Sequence, residues 1–196
     1  MQGKLILRRG ISQMSLNKTV VLVGMMGSGK TAVGKVLAAT LGVPFVDSDH
    51  EISTAANRSI SEIFERDGND FFRLVESRVI KRILCGLPCV LATGGGAFMS
   101  AKNRVLIANS GISVFLNVDL ETLWERVRHK KSRPLLETIN PKATLAKIFK
   151  ERKDQYSLAD LSISFSYNCS IEQTSQKLLS ALSQRSDVLS PEEGIL

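Results

Sequence analysis

The sequence predicts an α/β domain in which a parallel sheet is wrapped by helices around a phosphate-binding loop. Gly24-Met25-Met26-Gly27-Ser28-Gly29-Lys30-Thr31 stands directly between the apolar run Thr19-Val20-Val21-Leu22-Val23 and a helical pattern that begins at Lys30. Short apolar runs then alternate with helical patterns along the whole chain, the order that crossover-connected parallel strands require. Two segments, about 48–85 and 129–140, fall outside that alternation and read as additions over the strand ends.

The elements follow in order. Strands are expected near 19–23, 44–47, 88–92, 112–117 and 161–165, where apolar residues cluster between turn residues. Helices are expected near 30–41, 58–66, 69–85, 101–109, 119–128, 141–156 and 170–183. The helix at 69 starts after Asp67-Gly68, and Asn140-Pro141 supplies a cap and a first-turn proline for the helix at 141. Segment 48–85 carries two helical patterns where a minimal crossover needs one, so a small helical subdomain is expected there. Segment 129–140 is polar and basic with one proline and reads as a mobile loop. Ligands of an open parallel sheet bind at the carboxyl ends of its strands, so both segments can form walls or a lid. Residues 1–17 read as a mobile extension, 18–184 as one domain and 185–196 as a frayed tail.

Composition limits the function classes. A chain of 196 residues is the size of one domain with room for a substantial core. Its net charge of +7 suits an enzyme holding phosphates and acidic ligands. No run joins clustered Lys and Arg with interleaved aromatics, so no nucleic-acid partner is expected. Cys85, Cys89 and Cys169 cannot close a disulfide framework and, with only His50 and His129 beside them, make a poor zinc set. They read as small core hydrophobes in a reducing compartment, hence a cytoplasmic location. No run approaches the roughly 20 apolar residues of a membrane span.

The loop at Gly24–Thr31 has the spacing a nucleoside triphosphate requires. Its glycines, with Gly27, Ser28 and Gly29 at the tip, let backbone N–H groups turn in around the β-phosphate. Lys30 reaches the β and γ oxygens, and the Thr31 hydroxyl can ligate Mg²⁺. ATP or GTP is therefore the expected ligand. At the end of the second strand, Asp47-Ser48-Asp49 sets two carboxylates i and i+2, on one side of an extended chain. Asp47 can hold Mg²⁺ through water, and Asp49 can orient and deprotonate an acceptor hydroxyl. Helix capping by Ser48 or Asp49 is the alternative. The third strand ends in Thr93-Gly94-Gly95-Gly96, a turn whose exposed N–H groups suit a small oxygen-rich ligand or simply make it flexible.

The charged residues divide similarly. Leu145, Ile148 and Phe149 define an inward stripe on which Arg152 and Tyr156 also fall, and an arginine there needs an anion, either a structural carboxylate or a substrate. Arg73 has a similar setting, with Glu76 three residues on as a tether. Two such arginines suggest an acidic small molecule. Arg133 in the loop can close on the γ-phosphate as an arginine finger within one chain, or remain a solvated charge beside Lys130 and Lys131. Arg126 and Arg128 can cover the base or favour the helix C-terminus. The residues alone support a small-molecule kinase. A nucleotide switch fits poorly because no guanine-reading Asn-Lys-x-Asp pattern is present.

Taken together, Gly24–Thr31, Asp47-Ser48-Asp49, Phe72-Arg73 with Glu76, Gly94-Gly95-Gly96, and Arg133-Pro134-Leu135-Leu136 followed by Arg152 and Tyr156 make residues 18–183 resemble the shikimate kinases. The resemblance implies a nucleoside-monophosphate-kinase-like P-loop fold with a five-stranded parallel sheet, a helical substrate subdomain and a lid. It implies ATP-dependent phosphorylation of the shikimate 3-hydroxyl on the route to chorismate, in a monomer. Carried over by residue, it assigns Asp49, Arg73, the Gly94-Gly95-Gly96 turn and Arg152 to shikimate, Lys30 and Arg133 to the phosphates, Thr31 and Asp47 to Mg²⁺, and Arg126 to the adenine. Another P-loop small-molecule kinase, such as one for gluconate, is the alternative. The two ends match no motif of the family.

Overall fold

The structure, a computed structural model, describes residues 14–129 and 134–191. β2 (Thr19–Val23) is buried along its whole length, as a strand covered by helices on both faces must be, and its sequence is accordingly a continuous run. It pairs in parallel with β4 (Val90–Ala92) on one side and β5 (Gly111–Asn117) on the other. β3 (Phe45–Asp47) extends the sheet beyond β4 and β6 (Leu161–Ser164) beyond β5, so the order is β3-β4-β2-β5-β6 with every pairing parallel. The chain leaves β2 for one side of the sheet and later returns to the other. The carboxyl end of β2 therefore opens into the crevice between its neighbours, where a doubly wound sheet holds ligands.

Local chemistry sets the helix ends. α1 (Lys30–Leu41) and α6 (Pro141–Tyr156) have the predicted bounds, the second because Asn140 Oδ1 accepts from the Ala143 amide at 3.1 Å ahead of the first-turn proline. α4 (Ala101–Ser110), α5 (Leu120–Val127) and α7 (Ile171–Leu182) each begin at a capping side chain, Ser100, Asp119 and Ser170.

The region after β3 differs from expectation in two ways. A helix, α2 (Ser48–Ala56), starts directly at the strand end, and its cap is Asp47, whose side chain accepts from the Asp49 and His50 amides. Neither Ser48 nor Asp49 is the cap. The two helical patterns at 58–66 and 69–85 join as α3 (Ile60–Leu84), interrupted at Gly68, where φ 81° and ψ 173° break the helical path. That backbone excludes most side chains. Ile52, Ile63, Phe72 and Val79 form an apolar cluster apart from the main core, so the α2–α3 unit is a subdomain with its own interior.

The ends also differ from expectation. Met14–Leu16, read as part of a mobile extension, is β1, and it pairs antiparallel with β7 (Leu189–Pro191), read as part of a frayed tail. The Asn17 amide donates to Val188 O at 2.8 Å, and Lys18 meets Asp187 at 2.7 Å. Leu16, Val188 and Leu189 belong to the main core, with 7%, 0% and 2% exposure, and this burial is what holds two strands of three residues together. Leu189→Ala is expected to lower unfolding free energy by about 2–4 kcal/mol in urea titration, the usual range for a buried Leu→Ala. A loss below about 0.5 kcal/mol would mean that the ribbon contributes nothing to the core.

Candidate active site

The P-loop leaves β2 at Val23 and turns into α1 at Lys30. Lys30 Nζ donates to the carbonyls of Gly24 at 2.8 Å and Met25 at 2.9 Å, so the ammonium lies inside the loop. Thr31 Oγ1 donates to Asp47 Oδ2 at 3.0 Å, while Asp47 Oδ1 accepts the Asp49 amide at 3.1 Å. One carboxylate thus caps α2 and meets the hydroxyl of the P-loop. A hydroxyl and a carboxylate in contact at the mouth of a phosphate loop fit Mg²⁺, which takes few protein oxygens and completes its shell with phosphate and water. Among the described residues no three His, Cys, Asp or Glu gather as a metal cage.

The cap expected at Ser48 or Asp49 is instead Asp47, the same carboxylate that meets Thr31. Because α2 starts at Ser48, Asp49 lies in a helical first turn instead of an extended chain. It still faces the cleft, beside the turn after β4. A Cβ built on Gly94 would lie 2.6 Å from Asp49 Oδ1, 3.3 Å from Oδ2 and 3.2 Å from Glu76 Oε1. On Gly96 it would lie 2.5 Å from Arg73 Nη2. A side chain at Gly94 or Gly96 would have to displace the acid or the arginine from its observed place. Ser48 Oγ, fully buried, accepts the Gly94 amide at 3.1 Å and so ties α2 to the turn, a contact that sequence spacing did not disclose.

Arg73 and Glu76 form the predicted tether, Nη1 to Oε2 at 2.7 Å, with the guanidinium 5.0 Å from the Phe72 ring centroid. Glu76 is wholly buried and its Oε1 has no hydrogen-bond partner among the described residues. Burial pushes its carboxyl pKa up, opposed by the Arg73 charge. From α6, Arg152 Nη1 donates to Gly95 O at 3.1 Å, and the Tyr156 hydroxyl donates to the same carbonyl. The anion-seeking stripe on α6 is therefore aimed at the glycine turn. No described residue supplies Arg152 with a structural carboxylate ion pair.

A cleft of about 560 Å³ runs from the phosphate loop to the glycine turn, lined by Met26–Val33, Asp47, Asp49 and Thr93–Gly95. Its far end is formed by Arg126, Phe165, Cys169, Ile171 and Thr174. Arg126 Nη1 donates to Gly27 O at 3.4 Å and its guanidinium stands 5.7 Å from the Phe165 ring centroid, so it spans the loop and the far wall. Arg128 instead pairs with Glu125 at the surface. The wall from Phe165 to Thr174 was not predicted; its only sequence signal is position, the link from the last parallel strand into a helix. Of the cysteines only Cys89 is a core residue, since Cys85 is exposed and Cys169 is half-buried in the cleft wall. Arg133, with Lys130 and Lys131, lies outside the described residues. No helix among the described residues is long and apolar enough to cross a membrane.

Comparison with known proteins bears on the same region. The profile of the family described as shikimate kinase matches residues 26–183. The shikimate kinase of Ruegeria pomeroyi is 58% identical over 175 residues, covering 89% of this chain and 90% of that one. That of Cereibacter sphaeroides is 55% identical, covering 91% and 89%. A shikimate kinase from Acinetobacter baumannii, solved in complex with shikimate, superposes with a TM-score of 0.81 at 37% identity, over 91% of this chain and 98% of the other. A gluconokinase from Sinorhizobium meliloti shares the fold at a TM-score of 0.59 and 18% identity, over 86% and 93%.

The crowding at Gly94 makes a direct test of the geometry. Gly94→Ala is expected to leave the protein folded and lower turnover at saturating ATP by about a hundredfold, the scale of displacing a reacting group by an ångström. Turnover within a factor of two of the parent would show that Asp49 and the turn are not packed together in the working protein.

Proposed function

The chain belongs to the shikimate kinase family, and we propose that its cleft transfers the γ-phosphate of ATP to the 3-hydroxyl of shikimate, giving 3-phosphoshikimate and ADP. The observation that carries this reading is the position of Gly95. A Cβ built there would lie 3.6 Å from the Met26 amide nitrogen and 3.7 Å from Arg152 Nη1, so the turn that would hold an acceptor abuts both the phosphate loop and an inward arginine. Arg152 and Arg73 present planar guanidinium groups suited to the carboxylate of a hydroxy acid. Asp49, packed on Gly94, is the base.

In this reading the chain acts chiefly by positioning. Asp49 accepts the proton of the attacking hydroxyl as its oxygen bonds to the γ-phosphorus, and the bond from that phosphorus to the β–γ bridging oxygen breaks with its electron pair leaving on ADP. Lys30 and the P-loop amides hold the β and γ oxygens, and Arg133 is assigned to the γ-phosphate. Thr31 and Asp47 would hold Mg²⁺, which neutralises phosphate charge when bound. Gly27, Ser28 and Gly29 cradle the phosphates, and Arg126 with the Phe165 wall takes the adenine. The catalytic unit takes in the β1–β7 ribbon that closes its core as well as 18–184, with about 48–85 serving the acceptor and 129–140 as the lid. We assign it as a cytoplasmic monomer that needs neither nucleic acid nor a membrane.

The gluconokinase resemblance favours no second acceptor, because at 18% identity it reflects the fold alone. The experiment is Mg²⁺-dependent ADP release from ATP with shikimate present, absent or replaced by gluconate. Strong stimulation by shikimate alone, with 3-phosphoshikimate formed, is the expected result; stimulation by gluconate, or turnover indifferent to either acid, would overturn the reading. In the same assay Asp49→Asn is expected to lower kcat at least about a hundredfold, as loss of general-base assistance does, while ATP affinity stays nearly intact. Near-normal turnover would remove Asp49 from the mechanism.

A further inference from the structure

Tyr156 belongs to the sequence pattern of the site, yet no step of the transfer uses it. Its side chain is 1% exposed and its ring stacks on Phe115 of β5, with centroids 5.2 Å apart and planes inclined by 18°. Packing accounts for the ring and leaves the hydroxyl unexplained, since a phenylalanine fills the same space without a polar group to satisfy. The hydroxyl donates to Gly95 O, the carbonyl that also accepts from Arg152 Nη1 at 3.1 Å. A carbonyl oxygen has two lone pairs, so the two donors use its full capacity. They come from positions i and i+4 of one helix, which places them on one face.

The anchorage continues on the other side of the ring. Phe115 is in register with Val23, the last residue of β2 before the P-loop, and the Tyr156 hydroxyl lies 3.9 Å from Met25 Sδ within that loop. The ring is thus fixed to the strand pair from which the phosphate loop springs, and its hydroxyl is fixed to the turn assigned to the acceptor. We infer that Tyr156 is a positioning residue for the acceptor: it holds the Gly95 carbonyl, and through that carbonyl the Arg152 guanidinium, in a set relation to the P-loop. The inference rests on the reading that an acidic acceptor, shikimate, occupies this end of the cleft.

Two features support it. With one N–H of the Arg152 fork on Gly95 O, the remaining donors are oriented together and can meet a carboxylate as a unit. Burial also pushes the Tyr156 phenol up to about 12, so the hydroxyl remains a donor at any pH at which the protein would work.

The test is steady-state kinetics of Tyr156→Phe, which keeps the ring stack, in parent and Arg152→Lys backgrounds. The parent must show shikimate-dependent turnover; if it does not, the acceptor reading falls and this inference with it. Given that turnover, Tyr156→Phe is expected to raise the shikimate KM about fivefold to tenfold, the worth of one buried hydrogen bond, with the ATP KM within twofold. In Arg152→Lys, whose ammonium lacks the fork, the same change is expected to alter the shikimate KM by less than about twofold. A normal shikimate KM in Tyr156→Phe, equal rises in both KM values, or full multiplicativity of the two substitutions would each overturn the inference while leaving the acceptor reading intact. Direct shikimate binding to nucleotide-free Tyr156→Phe, with its melting temperature recorded, separates a weakened acceptor site from a poorly folded chain.

Discussion

The parallel register of β2 against its two neighbours sets where every group of the site stands. Leu22 lies opposite Ala92, and Asp47 lies opposite Ala92 from the other side, so three strands end at one level. The P-loop leaves β2 there, the glycine turn leaves β4 there, and Asp47 closes β3 there. The register is locked at its last step: Thr93 donates to Leu22 O twice, from its amide at 3.2 Å and its hydroxyl at 2.9 Å. A slip of one residue would turn each of these strands over and send the site residues to the opposite face. The continuous apolar sequence of β2 resists such a slip only through packing, so the polar clamp at Thr93 adds what the core cannot specify.

Above that level the arrangement is governed by charge. Two arginines and two carboxylates approach one turn that has no side chains of its own. Glu76, wholly buried, is stable there because Arg73 sits on one of its oxygens, and Arg73 in turn gains a fixed rotamer from a buried partner. Removing one member of such a pair costs more than the pair contributes, because the survivor is left buried and uncompensated. Arg152 is held differently, by a backbone carbonyl, and it acts on the buried Glu76 carboxylate through its field without forming an ion pair. The two arginines are therefore not equivalent: Arg73 is braced by an acid, and Arg152 by a neutral dipole.

Much of this was legible in the sequence, and the boundary has physical causes. The P-loop, α1 and α6 are defined locally, by glycines, caps and spacing, and the sequence places them at their observed ends. The Arg73–Glu76 tether is legible because i and i+3 share a helix face. What was missed depends on distant or weak signals. β1 and β7 are three residues each and meet across the whole chain, as the Asn17–Ser190 contact at a separation of 173 residues illustrates. α2 buries a single apolar side chain, Ile52, and so has almost no periodicity to read. The acid pair was placed in the cleft for a reason that does not hold, since Asp49 reaches it from a helix. Phe165 is an ordinary apolar residue and Cys169 reads as a small core hydrophobe, so both enter the cleft only through the path of the chain.

The division between sheet and insertions also bears on specificity. A gluconokinase of 18% identity keeps the fold at a TM-score of 0.59, so the fold by itself names no acceptor. A fold of this kind supplies a place for a triphosphate and leaves the second substrate open. In this chain the candidate acceptor groups lie on α2, α3 and α6, outside the β2–α1 unit. The glycine turn is where these helices meet the sheet, through Asp49 on Gly94, Arg73 on Gly96, and Arg152 with Tyr156 on Gly95. Its lack of side chains is what lets three helices converge on the turn.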